Sequence, residues 1–402
     1  MTMLARDPRA PFPLTPLARP LERRARGYDL VLAGTALALS LIGAVLVWAA
    51  TRDLQRAQGA NPQAFLYRHL LNLVIAALLM YAASRIDARL MRLFGPIVYV
   101  ASVLGLLLVF VAGSTINGAH AWIRIGGGFE VQPSEFMKLG MIVGMAVLFT
   151  QRANQRSGRS EIISVRDDVT PPSACDVLLA LGLLLLPLGL VLLEPDLGSA
   201  MVLAAAAFGV LVAAAVPARW TIGLMVLAVI VAVLVVKGGL LAEYQLARFT
   251  SFTNPGHDPQ GAAYNVNQAH IAIANGGLTG TGLFKGPQTN GGFVPEQQTD
   301  FVFSVAGEEF GLIGGSVIIA LFAVLCWRGL AIAKSAEPAG RLVAVGIVCW
   351  FAFQTFQNIG MNLGLMPVTG LPLPFVSYGG SSMFAQGLAI GLLQAVRRTA
   401  SN

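Results

Sequence analysis

Apolar residues fall along this chain in ten long runs, at 30–50, 66–84, 93–112, 136–150, 177–193, 198–216, 220–237, 305–327, 342–363 and 380–396. Most approach the roughly 20 residues that a helix needs to cross a hydrocarbon core. The pattern predicts an all-α integral membrane protein with about ten transmembrane helices in a single polytopic domain, 29–396. The run at 136–150 is short and holds Lys138, and the run at 66–84 opens beside Arg68 and His69. Residues 1–28 are rich in proline and arginine and lack an apolar core, so they read as a basic tail and not as a cleaved leader. Residues 397–402 form a second short tail. The stretch 238–303, between the seventh and eighth runs, is the longest segment outside a span. It interleaves Gly, Asn, Gln and Pro with aromatic and apolar pairs, which predicts an ordered loop lying partly at the interface.

Composition removes the soluble alternatives. The chain has 402 residues, of which 55% are hydrophobic and 12% charged, and its mean hydropathy is +0.69. Soluble domains carry about 25% charged residues, so half the usual charge cannot cover a water-facing surface. The three cysteines, Cys175, Cys326 and Cys349, lie too far apart for a disulfide scaffold. With an even number of spans both termini share one side, and 19 of the 27 basic residues then fall on that side. The positive-inside rule makes it the cytoplasm. The high isoelectric point is therefore a topology signal. Nucleic-acid binding is excluded because the arginines are scattered over many short loops.

Ionisable groups at span ends are costly and mark functional candidates, and the informative ones lie on the outer side. Trp122 and Arg124 precede Gln132–Pro133–Ser134–Glu135, which reads as a helix start with Ser134 as N-cap and Glu135 in the first turn. Lys138 follows three residues later on the same face. It can snorkel outward, pair with Glu135, or meet an anionic ligand. Asp196, in Glu194–Pro195–Asp196–Leu197–Gly198, fits ordinary turn chemistry and caps the next helix. Arg248, set between Tyr244 and Phe249, suits either a fork-shaped phosphate contact or an interfacial anchor. Asp300, Glu308 and Glu309 lead into the eighth run. A helix beginning at Asp300 would hold Asp300 and Glu308 about 12 Å apart along its axis. Paired-carboxylate glycosidases use roughly 5–9.5 Å, so a single carboxylate base or a metal ligand is the better reading.

Pro367, Pro372 and Pro374 forbid a continuous helix before the tenth run. Non-helical backbone at membrane depth must line protein or a watery cavity, so 366–382 is expected to be a re-entrant segment. Within it Gly379, Gly380, Ser381 and Ser382 permit close backbone approach. No Walker loop or HExxH helix is present, nor a GxSxG elbow, and the four histidines have no metal-ligand spacing. Gly140–Gly144 and Gly387–Gly391 match the small-xxx-small pattern of helix contact.

These segments resemble the SEDS family (shape, elongation, division, sporulation). The carrying residues are Trp122–Ile123, Gln132 to Glu135 with Lys138, and Pro195–Asp196–Leu197–Gly198. They continue with Pro295–Glu296, Thr299–Asp300–Phe301, Glu308–Glu309 and Gly311, and end with Pro367 to Gly370 and Pro372 through Ser382. The segment Trp48 to Arg52 is more similar to the elongation-type branch than to the division-type branch. Ala121 stands where members often carry a basic residue, and Gln298 where many carry histidine. Arg124 is then a substitute for the missing basic residue.

The resemblance implies a peptidoglycan glycosyltransferase of the bacterial inner membrane that polymerises lipid II on the outer face. Its second substrate is the growing strand on undecaprenyl diphosphate. It implies Asp300 as the essential acid. Lys138, Arg248 and Arg124 would hold the diphosphate, Glu135, Trp122 and Ser377 would belong to the substrate site, and Asp196, Glu308, Pro374 and Gly379 would support it. No cofactor is required by sequence, although a divalent cation, magnesium or manganese, could share the neutralisation of the diphosphate. The expected partner is a single-span class B penicillin-binding protein. The alternatives are a flippase for lipid-linked precursors, disfavoured because the spans show few polar residues in their inner half, and a division- or sporulation-type member of the same family.

Overall fold

A computed structural model describes residues 27–116, 119–126, 129–156, 171–238 and 263–400. Most of the tail 1–28, Arg248 and the rest of 239–262, and the final two residues lie outside the described residues. Every predicted run is helical: α1 Leu30–Ala57, α2 Ala64–Ser84, α3 Ala88–Ala112, α4 Pro133–Arg156, α5 Ala174–Leu193, α6 Leu197–Ala213 and α7 Ala218–Lys237 come first. They are followed by α8 Tyr264–Gly276, α9 Pro287–Gly291, α10 Val302–Ser335, α11 Pro338–Asn362 and α12 Gly380–Thr399. Seven of these, α1 to α5, α10 and α11, are long and apolar enough to cross a membrane by length and composition, and α6 and α7 are shorter apolar helices. The fold is helical as expected, with α8 and α9 supplying order inside the predicted long loop.

The helical architecture carries one small addition. β1 Ser114–Ile116, β2 Ala119–Gly126 and β3 Phe129–Val131 form a small antiparallel sheet between α3 and α4. Thr115, Trp122, Ile123 and Val131 supply this sheet with β-branched and aromatic residues of the kind that favour strands. Being too short to show as an apolar run, it left no mark on the hydropathy pattern.

α4 and α11 form the centre of the bundle, with Met137, Met141, Ile142, Met145, Trp350 and Phe351 fully buried. α2, α3 and α5 turn most of their apolar surface outward, as lipid-facing helices do. The small-residue pairs make the contacts expected of them. Gly387 and Gly391 leave no room for a methyl group because the Ala76 and Met80 carbonyls of α2 lie against them. Gly140 likewise meets the backbone of Tyr99 on α3.

At one end of the bundle, Asp29 caps α1 through Leu32 N (3.0 Å) and binds Arg397 Nη1 at 2.6 Å and Arg328 Nε at 3.1 Å. Burial pushes its carboxyl up, but Arg328, the Leu32 N–H and Arg397 outweigh that and hold it below its ordinary range. This clasp joins α1, α10 and α12.

At the opposite end the backbone departs twice from helical geometry. The first departure is a break in α10 at Gly311, with φ 66° and ψ −162°, a combination open essentially to glycine alone. The break frees four backbone groups, and the segment after α8 satisfies them. Thr281 N and Gly282 N donate to the Glu308 and Glu309 carbonyls (2.9 and 3.1 Å), while Leu312 N and Ile313 N donate to Gly277 and Leu278 (2.9 and 3.2 Å). The second departure is the proline-rich stretch between Asn362 and Gly380, where no helix forms, as its prolines predict.

Candidate functional site

The carbonyls of the proline-rich segment have no helical partners, and α11 supplies side-chain amides instead. Gln354 Nε2 donates to Pro372 O at 2.8 Å, Gln357 Nε2 to Pro367 O at 2.9 Å, and Asn358 Nδ2 to Leu371 O at 2.7 Å. These residues, with Asn362 a turn further on, repeat at helical spacing and so share one face. All four are fully buried. The signal is present in the sequence as Gln354, Gln357, Asn358 and Asn362 within an apolar run, and it is carried by amides and not by charged groups.

Asp300 sits half-buried at the N-terminal edge of α10, in a turn whose Glu296 carbonyl accepts from Thr299 N, Asp300 N and Phe301 N. α10 begins at Val302, two residues later than the sequence reading supposed. The Asp300 carbonyl accepts from Asn358 Nδ2 at 2.8 Å and Asn362 Nδ2 at 3.1 Å. Ser377 Oγ donates to the Thr299 carbonyl and accepts from Leu373 N at 2.8 Å, and Tyr378 N donates to Gln298 O at 2.9 Å. The structure therefore brings Asp300 and Ser377 onto adjoining backbone segments. Burial raises the Tyr378 phenol above its ordinary value against the opposing effect of Arg68.

Lys138 and Glu135 form a second cluster. Lys138 Nζ lies 2.6 Å from Glu135 Oε1, and their side chains are 0% and 2% exposed. Of the three options open in the sequence, the lysine takes the ion pair. Gln354 Oε1 lies 3.5 Å from the ammonium and accepts from Trp350 Nε1 at 2.6 Å. Gln354 thus connects the ion pair to the proline-rich segment. Ser134 is not the N-cap, since α4 starts at Pro133 and the Ser134 hydroxyl contacts Ser199 Oγ at 3.4 Å.

Other candidates have structural partners. Asp196 caps α6 through Ser199 N at 2.9 Å and accepts from Gln132 Nε2 at 2.8 Å, as turn chemistry predicted. Glu308 receives Gln288 N, Thr289 N and Thr289 Oγ1 at 2.9, 2.8 and 2.7 Å, so it anchors the start of α9. Arg124 is exposed and paired with Glu130 across the hairpin at 3.2 Å, and Trp122 is half-buried on β2 beside it. Pro374 is buried. Of the four residues expected to permit close approach, Ser381 is packed in, its Oγ donating to Glu130 O at 2.8 Å and accepting from Gln132 N at 3.1 Å, whereas methyl groups on Gly379 and Gly380 would meet Ser382 and Asn72 at an ordinary 3.7 and 3.4 Å. It is Gly43 on α1, against Val376, and Gly198 on α6, against Thr369, that let the segment in. Glu194 was read only as part of a turn. Its side chain is buried with both carboxylate oxygens unpartnered, and burial, aided by Asp196, raises its carboxyl to about 8.

Fold and site together define a polytopic α-helical membrane protein whose polar and non-helical elements gather at one end around an acidic turn. A family model described as "Cell cycle protein", covering FtsW, RodA and SpoVE, matches residues 29–402. A Geobacter metallireducens protein named "Probable peptidoglycan glycosyltransferase FtsW" is 36% identical over 91% of this chain and 93% of its own length. Stage V sporulation protein E of Bacillus subtilis is 36% identical over 92% and 97%. Among solved structures, a chain from a peptidoglycan synthase complex in which polymerization and crosslinking are coordinated superposes with a TM-score of 0.72. It shares 31% identity and covers 92% of this chain and 98% of that one. Thermus thermophilus RodA, a rod shape determining protein, gives a TM-score of 0.65 at 29% identity over 92% and 97%. The chain belongs to the FtsW/RodA/SpoVE family, the SEDS family. It is a multi-pass protein of the bacterial inner membrane and a glycosyltransferase.

Proposed function

We propose that the chain polymerises lipid II into glycan strands on the outer face of the membrane, with Asp300 as general base. The observation that carries the reading is the convergence of the Asp300 turn, the proline-rich segment and the Lys138–Glu135 pair on the amide face of α11. The 4-hydroxyl of an incoming lipid II attacks the anomeric carbon of the lipid-linked strand. A new C–O bond forms, the bond to the diphosphate breaks with its electron pair, and the hydroxyl proton passes to the Asp300 carboxylate. A diphosphate leaving group needs charge neutralisation more than protonation, so one carboxylate suffices.

Arg248 and Arg124 are the clamps for that diphosphate. Lys138, neutralised by Glu135 in this conformation, joins them only when its ion pair opens. Trp122 and Ser377 border the substrate. A divalent cation would share the neutralisation through the diphosphate oxygens. Among the described residues no group of three or more His, Cys, Asp or Glu side chains is arranged to hold one. A class B penicillin-binding protein supplies crosslinking, a reading supported by the synthase complex that contains a similar chain.

The names of the curated relatives favour a division or sporulation role, whereas the Trp48 to Arg52 segment favours elongation. Depletion separates the two: filaments mark a division enzyme and spheres an elongation enzyme. The direct test of the chemistry supplies fluorescent lipid II to purified protein and to Asp300→Asn. Polymer from the wild type and none from the variant is expected. Normal polymerisation by the variant overturns the base assignment, and transport of lipid II across inverted vesicles without polymer favours a flippase.

A further inference from the structure

We infer that Asn358 and Asn362 are positioning residues for Asp300, an inference that rests on the general-base reading above. Each asparagine amide has two N–H donors, and each uses both. Asn358 donates to the Asp300 and Leu371 carbonyls, at 2.8 and 2.7 Å. Asn362 donates to the Asp300 carbonyl at 3.1 Å and to the Asn358 carbonyl at 2.9 Å. The Asn362 Oδ1 accepts from Ser304 N at 3.1 Å, one of the first-turn N–H groups that a helix start leaves without an α-helical partner. Phe301, at the N-cap of α10, makes no side-chain cap. Asn362 therefore caps α10 from a neighbouring helix.

The consequence concerns geometry. The pentapeptide Asp300–Ser304 is held at both ends, by its first carbonyl and its last N–H, from one face of α11. That face is fully buried and central, so the reference frame is rigid. Asn358 also fixes the Leu371 carbonyl, so a single amide group sets the Asp300 backbone against the segment that carries Ser377. A general base must lie within hydrogen-bond reach of the proton it takes, and a displacement of about 1 Å can cost on the order of 100-fold in rate. Holding the backbone of a half-buried carboxylate is an economical way to meet that tolerance without touching substrate.

The test uses the full-length protein in nanodiscs with lipid II as substrate. Asn358→Leu and Asn362→Leu remove the donors at similar size without adding a titrating group, and Asn362→Ser, with a donor on a shorter side chain, is the milder second variant. We expect kcat to fall about 10- to 100-fold with KM for lipid II within about twofold, and the acid limb of the kcat profile to move relative to wild type. A loss that scales kcat equally at every pH, leaving the acid limb in place, means only less folded enzyme and overturns the inference. Wild-type kcat in all three variants overturns it too. If Asp300→Asn is inactive while the asparagine variants match wild type, the positioning role alone fails. If Asp300→Asn polymerises normally, the base reading fails first.

Discussion

Replacing Lys138 with methionine tests what the buried ion pair does. The side chain is 0% exposed, its ammonium is 2.6 Å from Glu135 Oε1, and it lies 5.2 Å from the centre of the Trp350 ring. Methionine matches the length of the stem, so packing is nearly conserved and the change is electrostatic. Glu135 Oε2 already has no partner, and Lys138→Met removes the ammonium from Oε1. Leaving one member of a buried pair uncompensated costs about 3–5 kcal/mol. The lost cation–π contact contributes at most about 2 kcal/mol, and only if fully desolvated. The Gln354 contact is long, at 3.5 Å, and adds little to the energy, and Gln354 keeps its Trp350 partner. We expect a loss of about 3–5 kcal/mol for the single variant. Lys138→Met combined with Glu135→Gln removes both charges and should recover to within about 1 kcal/mol of wild type, since neutral replacements for a buried pair are often tolerated.

The assay is reversible unfolding in mixed detergent micelles followed by tryptophan fluorescence, with Trp350 as a reporter beside the substituted group. A double-mutant cycle isolates the pairwise coupling. A single variant within about 1 kcal/mol of wild type, or a double variant as unstable as the single one, refutes the reasoning. The recovered double variant then separates two roles for Lys138. If it folds and polymerises lipid II, the lysine belongs to the wall of the site; if it folds and is inactive, the pair opens to meet substrate.

Two further outcomes are expected. Glu194 keeps its proton to about pH 8 in the folded chain, because it is buried and faces Asp196, while an unfolded glutamate releases it near 4.5. Stability should therefore fall as pH rises between those values, by at most about 1.4 kcal/mol per pH unit. Glu194→Gln should flatten that slope and exceed wild type at pH 8.5 in thermal unfolding scans, and parallel curves for the two proteins would sink the assignment. At the break in α10, Gly311→Ala introduces a side chain at φ 66° and drives it toward Gly280 N and Leu278 O, so it should cost more than about 2 kcal/mol. Gly189→Ala on α5, where a methyl group meets nothing within 4 Å, should be neutral or stabilise by up to about 1 kcal/mol; similar unfolding midpoints for the two variants would contradict the role of the break.

Hydropathy is a local property, and what it determines was legible: every apolar run became a helix, and Pro367, Pro372 and Pro374 marked the non-helical segment. The differences at Lys138 and at Gly379 and Gly380 have a common cause in long-range partnership. Nothing near Lys138 in the sequence decides between solvent, ligand and Glu135, because the decision depends on Trp350 and Gln354 from another helix. Gly379 and Gly380 looked like points of close approach because they are adjacent glycines in the segment. The contacts instead fall where Gly43 and Gly198 of other helices face it, and a glycine's neighbours are set by packing. Ser134 had the chemistry of an N-cap but stands one residue inside the helix, since Pro133 is itself acceptable at the first helical position. The β-hairpin was too short to generate a hydropathy signal. The amide face of α11 was readable, as four amides at helical spacing inside an apolar run, and a search for buried amides as well as charges would have found it.

Both departures from helical backbone lie at the same end as the acidic turn, and each is satisfied differently. The break at Gly311 is repaired by backbone, through Thr281, Gly282, Gly277 and Leu278. The proline-rich segment is repaired by side chains, through Gln354, Gln357 and Asn358. In water either segment could have relied on solvent. Buried within the bundle, each needs fixed donors and acceptors, and fixed partners bring fixed geometry with them. The amides needed by the proline-rich segment are thus also a source of rigidity at Asp300, whose carbonyl accepts from the same face of α11. The backbone of the base proposed at Asp300 is held by the same amide face that satisfies the proline-rich segment. That coupling predicts a shared fate, in which weakening the amide face of α11 loosens the proline-rich segment and the acidic turn together.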